Sequence, residues 1–159
     1  MSSVEPIRVA VSLRVDRAPN YEERRDGLAQ DWADHLAQLD VMPFLVPNTL
    51  RSCRPLLESW GVQAVLLTGG NDPLAPGTPP SVNGAPERDR TERELIRFAR
   101  TRKLPVIGVC RGAQMLNLYF GGGLCAVHDA AHHVATTHDV RLSEWIGTPQ
   151  ACVNSFHAL

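Results

Sequence analysis

The chain has 159 residues and a mass of 17.5 kDa, the size of one domain, able to bury about 70% of its unfolded surface. Its 43% hydrophobic and 21% charged residues exclude disorder, collagen and coiled coil. Sixteen Lys and Arg against seventeen Asp and Glu give a net charge of −1, which indicates neither nucleic acid nor an anionic membrane as a partner.

The first half of the chain alternates predicted strands and helices. Residues 7–13 form a nearly continuous apolar, β-branched run, typical of a strand covered on both faces of a parallel sheet. Asn20 followed by Glu23 predicts a helix start, after which apolar residues recur at helical spacing: Leu28, Trp32, Leu36 and Leu39. The remaining predicted elements are strands at 43–47 and 62–68 and a helix at 51–60.

The second half continues the alternation around a long loop. Residues 69–86 hold nine of the 24 Gly and Pro residues, and a loop of that length is typical of a lid or a binding loop. A helix at 87–103, a strand at 105–109 and a helix at 113–120 follow. After residue 120 the only predicted elements are two short strands, at 138–142 and 151–154. The alternation predicts an α/β fold with a mainly parallel sheet flanked by helices.

The segment Gly108-Val109-Cys110-Arg111-Gly112 directly follows a predicted strand and opens a predicted helix. In a G-x-nucleophile-x-G elbow the nucleophile is lifted off the sheet on a strained turn, and the glycines avoid collisions. The helix N-terminus also stabilises a thiolate. The sequence therefore predicts Cys110 as a nucleophile, with the N–H of Arg111 facing the oxyanion. The alternative is a buried, inert cysteine.

A second oxyanion donor is expected from the turn that follows the strand at 62–68, because the carboxyl ends of parallel strands meet at one edge of a sheet. Gly70 is the candidate, since glycine lets its N–H approach a reacting oxygen closely. A plain turn is the alternative, and spacing does not separate the two.

Four segments, in this order and at these spacings, carry a family resemblance: LLTGGNDP, RDRTE, PVIGVCRGAQMLNLYFGGGL and VNSFH. They resemble the class I, triad-type glutamine amidotransferase-like hydrolases, and within them the γ-glutamyl hydrolase and γ-glutamyl-GABA hydrolase branch. YEERRDGLAQDW and HHVATTHDV resemble its short bacterial members, of the γ-glutamyl-CDP-amidate hydrolase type. The resemblance covers nearly the whole chain and implies a flavodoxin-like three-layer fold.

The resemblance also implies roles for individual residues. Cys110 matches the nucleophile that forms a γ-glutamyl thioester, and the N–H groups of Gly70 and Arg111 match the oxyanion hole. Four residues match the substrate pocket: Gln114, Asn154, Ser155 and His157. Three residues match the helix start RDxxE, with a structural or pocket-shaping role: Arg88, Asp89 and Glu92. The family uses no metal and no organic cofactor.

One family motif is absent from these 159 residues. The histidine and acid of the family triad come from an H-P-E motif downstream of VNSxH, and this sequence contains no H-P-E. We therefore expect a single domain over 1–159, truncated at its C-terminus, in which full turnover lacks its base. His157 is a weaker substitute, since the family places it beside the substrate.

The other histidines form a cluster in the sequence: His128, His132, His133 and His138. His128 and His132 have the i, i+4 spacing of a metal pair, but no H-E-x-x-H occurs and polar lining of the cleft is the preferred interpretation. No metal site is predicted.

Together these features predict a cysteine-dependent hydrolase of γ-glutamyl amides that acts on a small-molecule substrate without a cofactor. The alternative is a relic or binding module that keeps the elbow and pocket but lacks the triad base. We expect a cytoplasmic protein, because no apolar run approaches the roughly 20 residues of a membrane span and no signal-peptide pattern opens the chain. A homo-oligomer is compatible with the sequence, which does not determine the oligomeric state.

Overall fold

The structure is a computed structural model that describes residues 5–77 and 79–124, together with two backbone strands further along the chain. The chain divides into two compact units, Met1–Gly123 and Leu124–Leu159. The elements of the first unit, in chain order, are β1 (Ile7–Ser12), β2 (Arg14–Arg17), β3 (Arg24–Gly27), α1 (Gln30–Gln38), β4 (Val41–Val46), α2 (Arg54–Trp60), β5 (Ala64–Leu67), α3 (Pro86–Arg102), β6 (Val106–Gly108) and α4 (Arg111–Tyr119). The second unit contains the antiparallel pair β7 (His133–Thr136) and β8 (Gln150–Val153).

The central sheet of the first unit is entirely parallel, in the order β4-β1-β5-β6. The strands form where the sequence is apolar and β-branched, and Pro43 is tolerated because β4 is an edge strand among those described. The chain adds β4 on one side of β1 and β5 on the other, so the order reverses between β1 and β5. In open α/β sheets the crevice outside the carboxyl ends of the strands at such a switch point is where ligands bind.

Helices cover both faces of this sheet. One face packs against α1, around a cluster of Val9, Val11, Leu36 and Leu66. The other face packs against α2, α3 and α4, and fully buried Leu57, Leu95 and Met115 contribute to its core. The predicted α/β fold with a parallel sheet flanked by helices is confirmed.

The helix start predicted at Asn20 and Glu23 is wrong. Residues 14–27 instead form the hairpin β2–β3, and the helix begins only at Gln30. Contacts far along the chain stabilise the hairpin. The Asn71 side chain accepts from the N–H of Val15 and donates to its carbonyl, both at 2.8 Å, and the Asp26 carboxylate accepts from the backbone and side chain of Asn48.

The other predicted elements of the first unit are found with small shifts at their ends. The long loop is also present, and Asp72 and Gly84 form an isolated bridge within it. In the second unit β8 confirms the strand predicted at 151–154, β7 was not predicted, and the candidate at 138–142 lies outside the described residues. Among the described residues, no helix combines the length and apolar character needed to cross a bilayer.

Candidate active site

Cys110 lies on the sharp turn between β6 and α4. It is the N-cap residue of α4, with φ 52° and ψ −112°, a conformation that non-glycine residues rarely adopt and that costs of order 1–3 kcal/mol. Its side chain is exposed. The alternative of a buried, inert cysteine is therefore wrong for Cys110, whereas the second described cysteine, Cys53, is buried.

The two glycines of the elbow are required by close backbone packing. A Cβ on Gly112 would lie 2.2 Å from the Leu67 carbonyl oxygen, and a Cβ on Gly108 would lie 2.6 Å from the carbonyl carbon of Gly112. Contacts this short do not occur in real proteins. The glycines therefore allow α4 to begin directly against the end of β5.

The turn after β5 lies beside the nucleophile. Val109 donates its N–H to the Leu67 carbonyl at 2.9 Å, which joins the ends of the two strands. A Cβ on Gly69 would lie 3.9 Å from Cys110 Sγ, so the Gly69-Gly70 backbone borders the sulfur. Gly70 has φ +116°, a conformation that favours glycine. The structure thus places the two glycine-rich turns at the same edge of the sheet.

The start of α4 supplies the other predicted donor. Within the described residues the N–H of Arg111 donates to no protein oxygen, whereas those of Gly112 and Ala113 donate to Val109 and Cys110. Gln114, one turn further, is half-buried on the same helix. Three other predicted pocket residues lie outside the described residues: Asn154, Ser155 and His157.

A buried ionic network lies behind the elbow. The side chains of Arg88, Glu92 and Arg111 are almost completely excluded from solvent. Glu92 accepts from Arg88 Nε at 2.9 Å with one oxygen and from Arg111 with the other, while Asp89 accepts from the other terminal nitrogen of Arg111. The sequence marked the RDxxE residues as structural or pocket-shaping, but it did not reveal that the Arg111 side chain joins them.

The same network holds the turn that carries Gly70. Arg88 donates to the carbonyl oxygens of Thr68 and Gly69, at 2.7 and 2.9 Å, and more weakly to the Asn71 side chain at 3.3 Å. A single buried ionic cluster therefore anchors both predicted oxyanion donors, through Arg88 on one turn and through Arg111 on the other.

Burial sets the electrostatics of this cluster. Desolvation lowers the pKa of Arg88 to about 10, and desolvation together with the nearby charge of Arg88 lowers the pKa of Arg111 to about 9. Both guanidinium groups remain charged at neutral pH. The carboxylates of Glu92 and Asp89 accept their hydrogen bonds and compensate the two positive charges.

A small pocket of about 160 Å³ opens at the switch point between β1 and β5. It lies next to the turn that borders the sulfur, where the fold predicts a ligand. Its lining residues come from the hairpin, α1 and the β5 turn: Arg14, Gly27, Leu28, Ala29, Trp32, Thr68, Gly69 and Gly70.

The predicted histidine cluster is hardly covered by the structure. His133 begins β7, and the other three histidines lie outside the described residues. Among the side chains described, no group of three His, Cys, Asp or Glu residues is arranged to hold a metal ion.

A nucleophile elbow on a parallel α/β sheet, bordered by a second glycine turn, is the arrangement of a hydrolase that forms a covalent acyl intermediate, and the family match places it among the glutamine amidotransferase-like amide hydrolases. The chain belongs to the Peptidase C26 family, whose model matches residues 7–159. Family membership confirms the resemblance seen in the sequence and the class of reaction, hydrolysis of an amide C–N bond.

Individual relatives agree with this assignment. The chain is 28% identical over 156 residues to a γ-glutamyl-CDP-amidate hydrolase of Campylobacter jejuni, covering 94% of this chain and 69% of the relative. It is 33% identical over 119 residues to a glutamine amidotransferase-like YvdE homolog of Lactococcus lactis, covering 69% of this chain and 61% of the relative.

A solved structure supports the fold. A Thermoplasma acidophilum protein assigned to GMP synthase superimposes with a TM-score of 0.62 at 19% identity, over 98% of this chain and 67% of that one. At this identity the likeness shows the fold alone. The chain thus spans between 61% and 69% of the length of these three proteins.

Proposed function

We propose that this protein hydrolyses γ-glutamyl amides of small molecules through a γ-glutamyl thioester on Cys110. The observation that carries the proposal is the exposed Cys110 on a strained turn at the N-terminus of α4, with the Gly69-Gly70 backbone bordering its sulfur. The similarity to a γ-glutamyl-CDP-amidate hydrolase supports a γ-glutamyl group as the acyl part.

In the first step the thiolate of Cys110 attacks the γ-carbonyl carbon, and the carbonyl oxygen becomes an oxyanion. We assign the N–H groups of Gly70 and Arg111 to this oxyanion, because Gly70 follows Gly69, which borders the sulfur, Arg111 follows Cys110, and one buried ionic cluster holds both turns. The C–N bond then breaks, the nitrogen leaves as an amine after gaining a proton, and the glutamyl group stays on sulfur as a thioester. Water cleaves the thioester to release glutamate and the free thiol.

Substrate binding is proposed at the crevice beside the β5 turn. Gln114, one helical turn from the nucleophile, is assigned to the glutamyl pocket, and the resemblance adds Asn154, Ser155 and His157 to it. Hydrolysis is proposed rather than transfer of ammonia to a synthetase, because a relative that matches 94% of this chain is a γ-glutamyl-CDP-amidate hydrolase. We also propose a cytoplasmic location, where the thiol of Cys110 would stay reduced.

The test is covalent labelling followed by a turnover assay. Acivicin, a glutamine-mimicking electrophile, should label Cys110 in the native chain, as located by peptide mass spectrometry. Cys110→Ala should abolish labelling, whereas the matched Cys53→Ala should keep it because Cys53 is buried. A γ-glutamyl p-nitroanilide should then release p-nitroaniline in a Cys110-dependent reaction.

Two results would contradict the proposal. Labelling of another residue, or no labelling, would remove Cys110 from the chemistry. If acivicin labels Cys110 but the substrate neither releases p-nitroaniline nor leaves a glutamyl adduct on the protein, the site binds γ-glutamyl compounds without hydrolysing them.

A further inference from the structure

A cleft larger than the pocket at the β5 turn is lined by none of the elbow residues. It has a volume of about 610 Å³ and lies along the outer face of α3, opposite the segment Arg51-Ser52. A volume of this size is in the range of small-molecule sites. Four arginines line it: Arg51, Arg90, Arg93 and Arg97.

Helical spacing aligns three of these arginines. Arg90, Arg93 and Arg97 are at positions i, i+3 and i+7 of α3, so they share one face of the helix. This face is separate from the one that carries Arg88 and Glu92 into the buried network. Arg51 reaches the cleft from the connection between β4 and α2, so the arginines approach it from two sides.

The two carboxylates in the same cleft offset only part of the charge of these arginines, because Asp89 is paired with Arg111 and Glu94 supplies one negative charge against four arginines. Glu94 accepts from the Ser52 hydroxyl and from the N–H of Cys53 at 3.2 Å, while Asp89 accepts from Arg111 and from the N–H of Leu74 at 3.1 Å. Within the described residues, none of the four guanidinium groups makes an ion pair or a hydrogen bond. In a chain with a net charge of −1 this is a pronounced local excess of positive charge.

The guanidinium group matches phosphate oxygens through paired N–H donors, and it is the preferred side chain for such recognition. A rise of about 1.5 Å per residue separates Arg90 from Arg97 by roughly 10 Å along the helix axis. That length exceeds a single phosphate and suits an extended diphosphate with an attached group. The concave shape and the few arginines fit a small ligand better than a nucleic acid.

We propose that the cleft between α3 and Arg51-Ser52 binds the diphosphate group of a small molecule. Arg93 and Arg97 hold the phosphates from the helix, and Arg51 closes on them from the opposite side. The proposal does not depend on the amide hydrolase activity, because its test measures binding alone.

The experiment is isothermal titration calorimetry of the full chain with sodium pyrophosphate at low ionic strength. Saturable binding with one site per chain is expected, weakened by added salt. The double variant Arg93→Gln/Arg97→Gln should bind at least about tenfold more weakly, because each lost charge-assisted contact is worth about that factor. The matched control is Arg100→Gln, on the same helix, where Arg100 contacts the Tyr119 and Phe120 rings and does not line the cleft.

Arg51→Gln, on a different element, provides a second test and should also weaken binding. If a nucleoside diphosphate binds more tightly than pyrophosphate, the ligand is a diphosphate ester whose attached group also contacts the cleft. Equal affinities would show that the cleft recognises the diphosphate group alone. No saturable binding, an unchanged affinity in the double variant, an equal loss in Arg100→Gln, or equal binding of sulfate would each overturn the proposal.

Discussion

Replacing Glu92 by Gln tests the buried ionic network behind the elbow. The substitution keeps the shape of the side chain and removes its negative charge. Glu92 is completely buried and contacts both Arg88 and Arg111, which are buried to the same degree. In the variant two buried guanidinium groups share only the carboxylate of Asp89.

Breaking a buried ion pair on one side costs about 3–5 kcal/mol, because the remaining charge is left uncompensated. Against a total stability of about 5–15 kcal/mol this is a large fraction. For a chain of this length about 1 kcal/mol corresponds to a shift in Tm of about 2–4 °C, so Glu92→Gln should lower Tm by roughly 6–20 °C.

The assay is urea denaturation followed by tryptophan fluorescence, with thermal unfolding in parallel. Glu87→Gln is the matched control, since Glu87 is on the same helix but forms an exposed pair with Arg24 worth below about 1 kcal/mol. If the unfolding free energies of the two variants agree within about 1 kcal/mol, the network does not hold the fold and the reasoning is wrong.

Three further predictions concern the glycines near Cys110 and the two described cysteines. Gly112→Ala should lower the unfolding free energy in urea denaturation, because the added Cβ would lie 2.2 Å from the Leu67 carbonyl oxygen. Gly69→Ala should still fold, because its Cβ would lie 3.9 Å from Cys110 Sγ, and the added methyl group should slow alkylation of Cys110. Burial, aided by the nearby charge of Glu94, raises the pKa of Cys53 from 9.0 to about 12. The contribution of Cys53, measured as the difference in unfolding free energy between the native chain and Cys53→Ala, should therefore be constant below pH 9 and shrink towards pH 12. At pH 8 iodoacetamide should modify Cys110 before Cys53, as read by peptide mapping.

Residue pattern alone predicted the central sheet and the elbow. The strands β1, β4, β5 and β6 are short apolar runs bounded by turn residues, a pattern typical of strands in a parallel sheet. The glycines on either side of Cys110 were equally informative, because the elbow geometry admits no side chain at Gly108 or Gly112.

The hairpin β2–β3 could not be predicted in this way. Its strands are dominated by charged residues, and β3 is largely exposed, so no alternating apolar pattern marks them. The contacts that fix the hairpin come from Asn71 and Asn48, which lie far along the chain. The local sequence favours a helix in this segment, but hydrogen bonds to distant residues stabilise the hairpin instead.

The buried network was visible only in part. The i, i+4 spacing of Arg88 and Glu92 indicates a pair on one helix face, but not that this face is buried. Arg111 follows the nucleophile by one position and was assigned a role only through its backbone. Its side chain meets Asp89 and Glu92 because α3 and α4 pack together, a contact that no local pattern encodes.

Whether the network serves stability or orientation can be decided with a charge-balanced variant. Arg111→Met combined with Glu92→Leu removes one buried cation and one buried anion, so it should recover part of the stability lost in Glu92→Gln, because the remaining Arg88 and Asp89 have opposite charges and lie close enough to interact. The backbone N–H of residue 111 is retained, but α4 loses its polar anchor to α3 and Arg88 loses its partner. We therefore expect the rate of Cys110 labelling by acivicin to stay well below that of the native chain although part of the stability returns. Recovery of the labelling rate in step with stability would show that the cluster only holds the fold together.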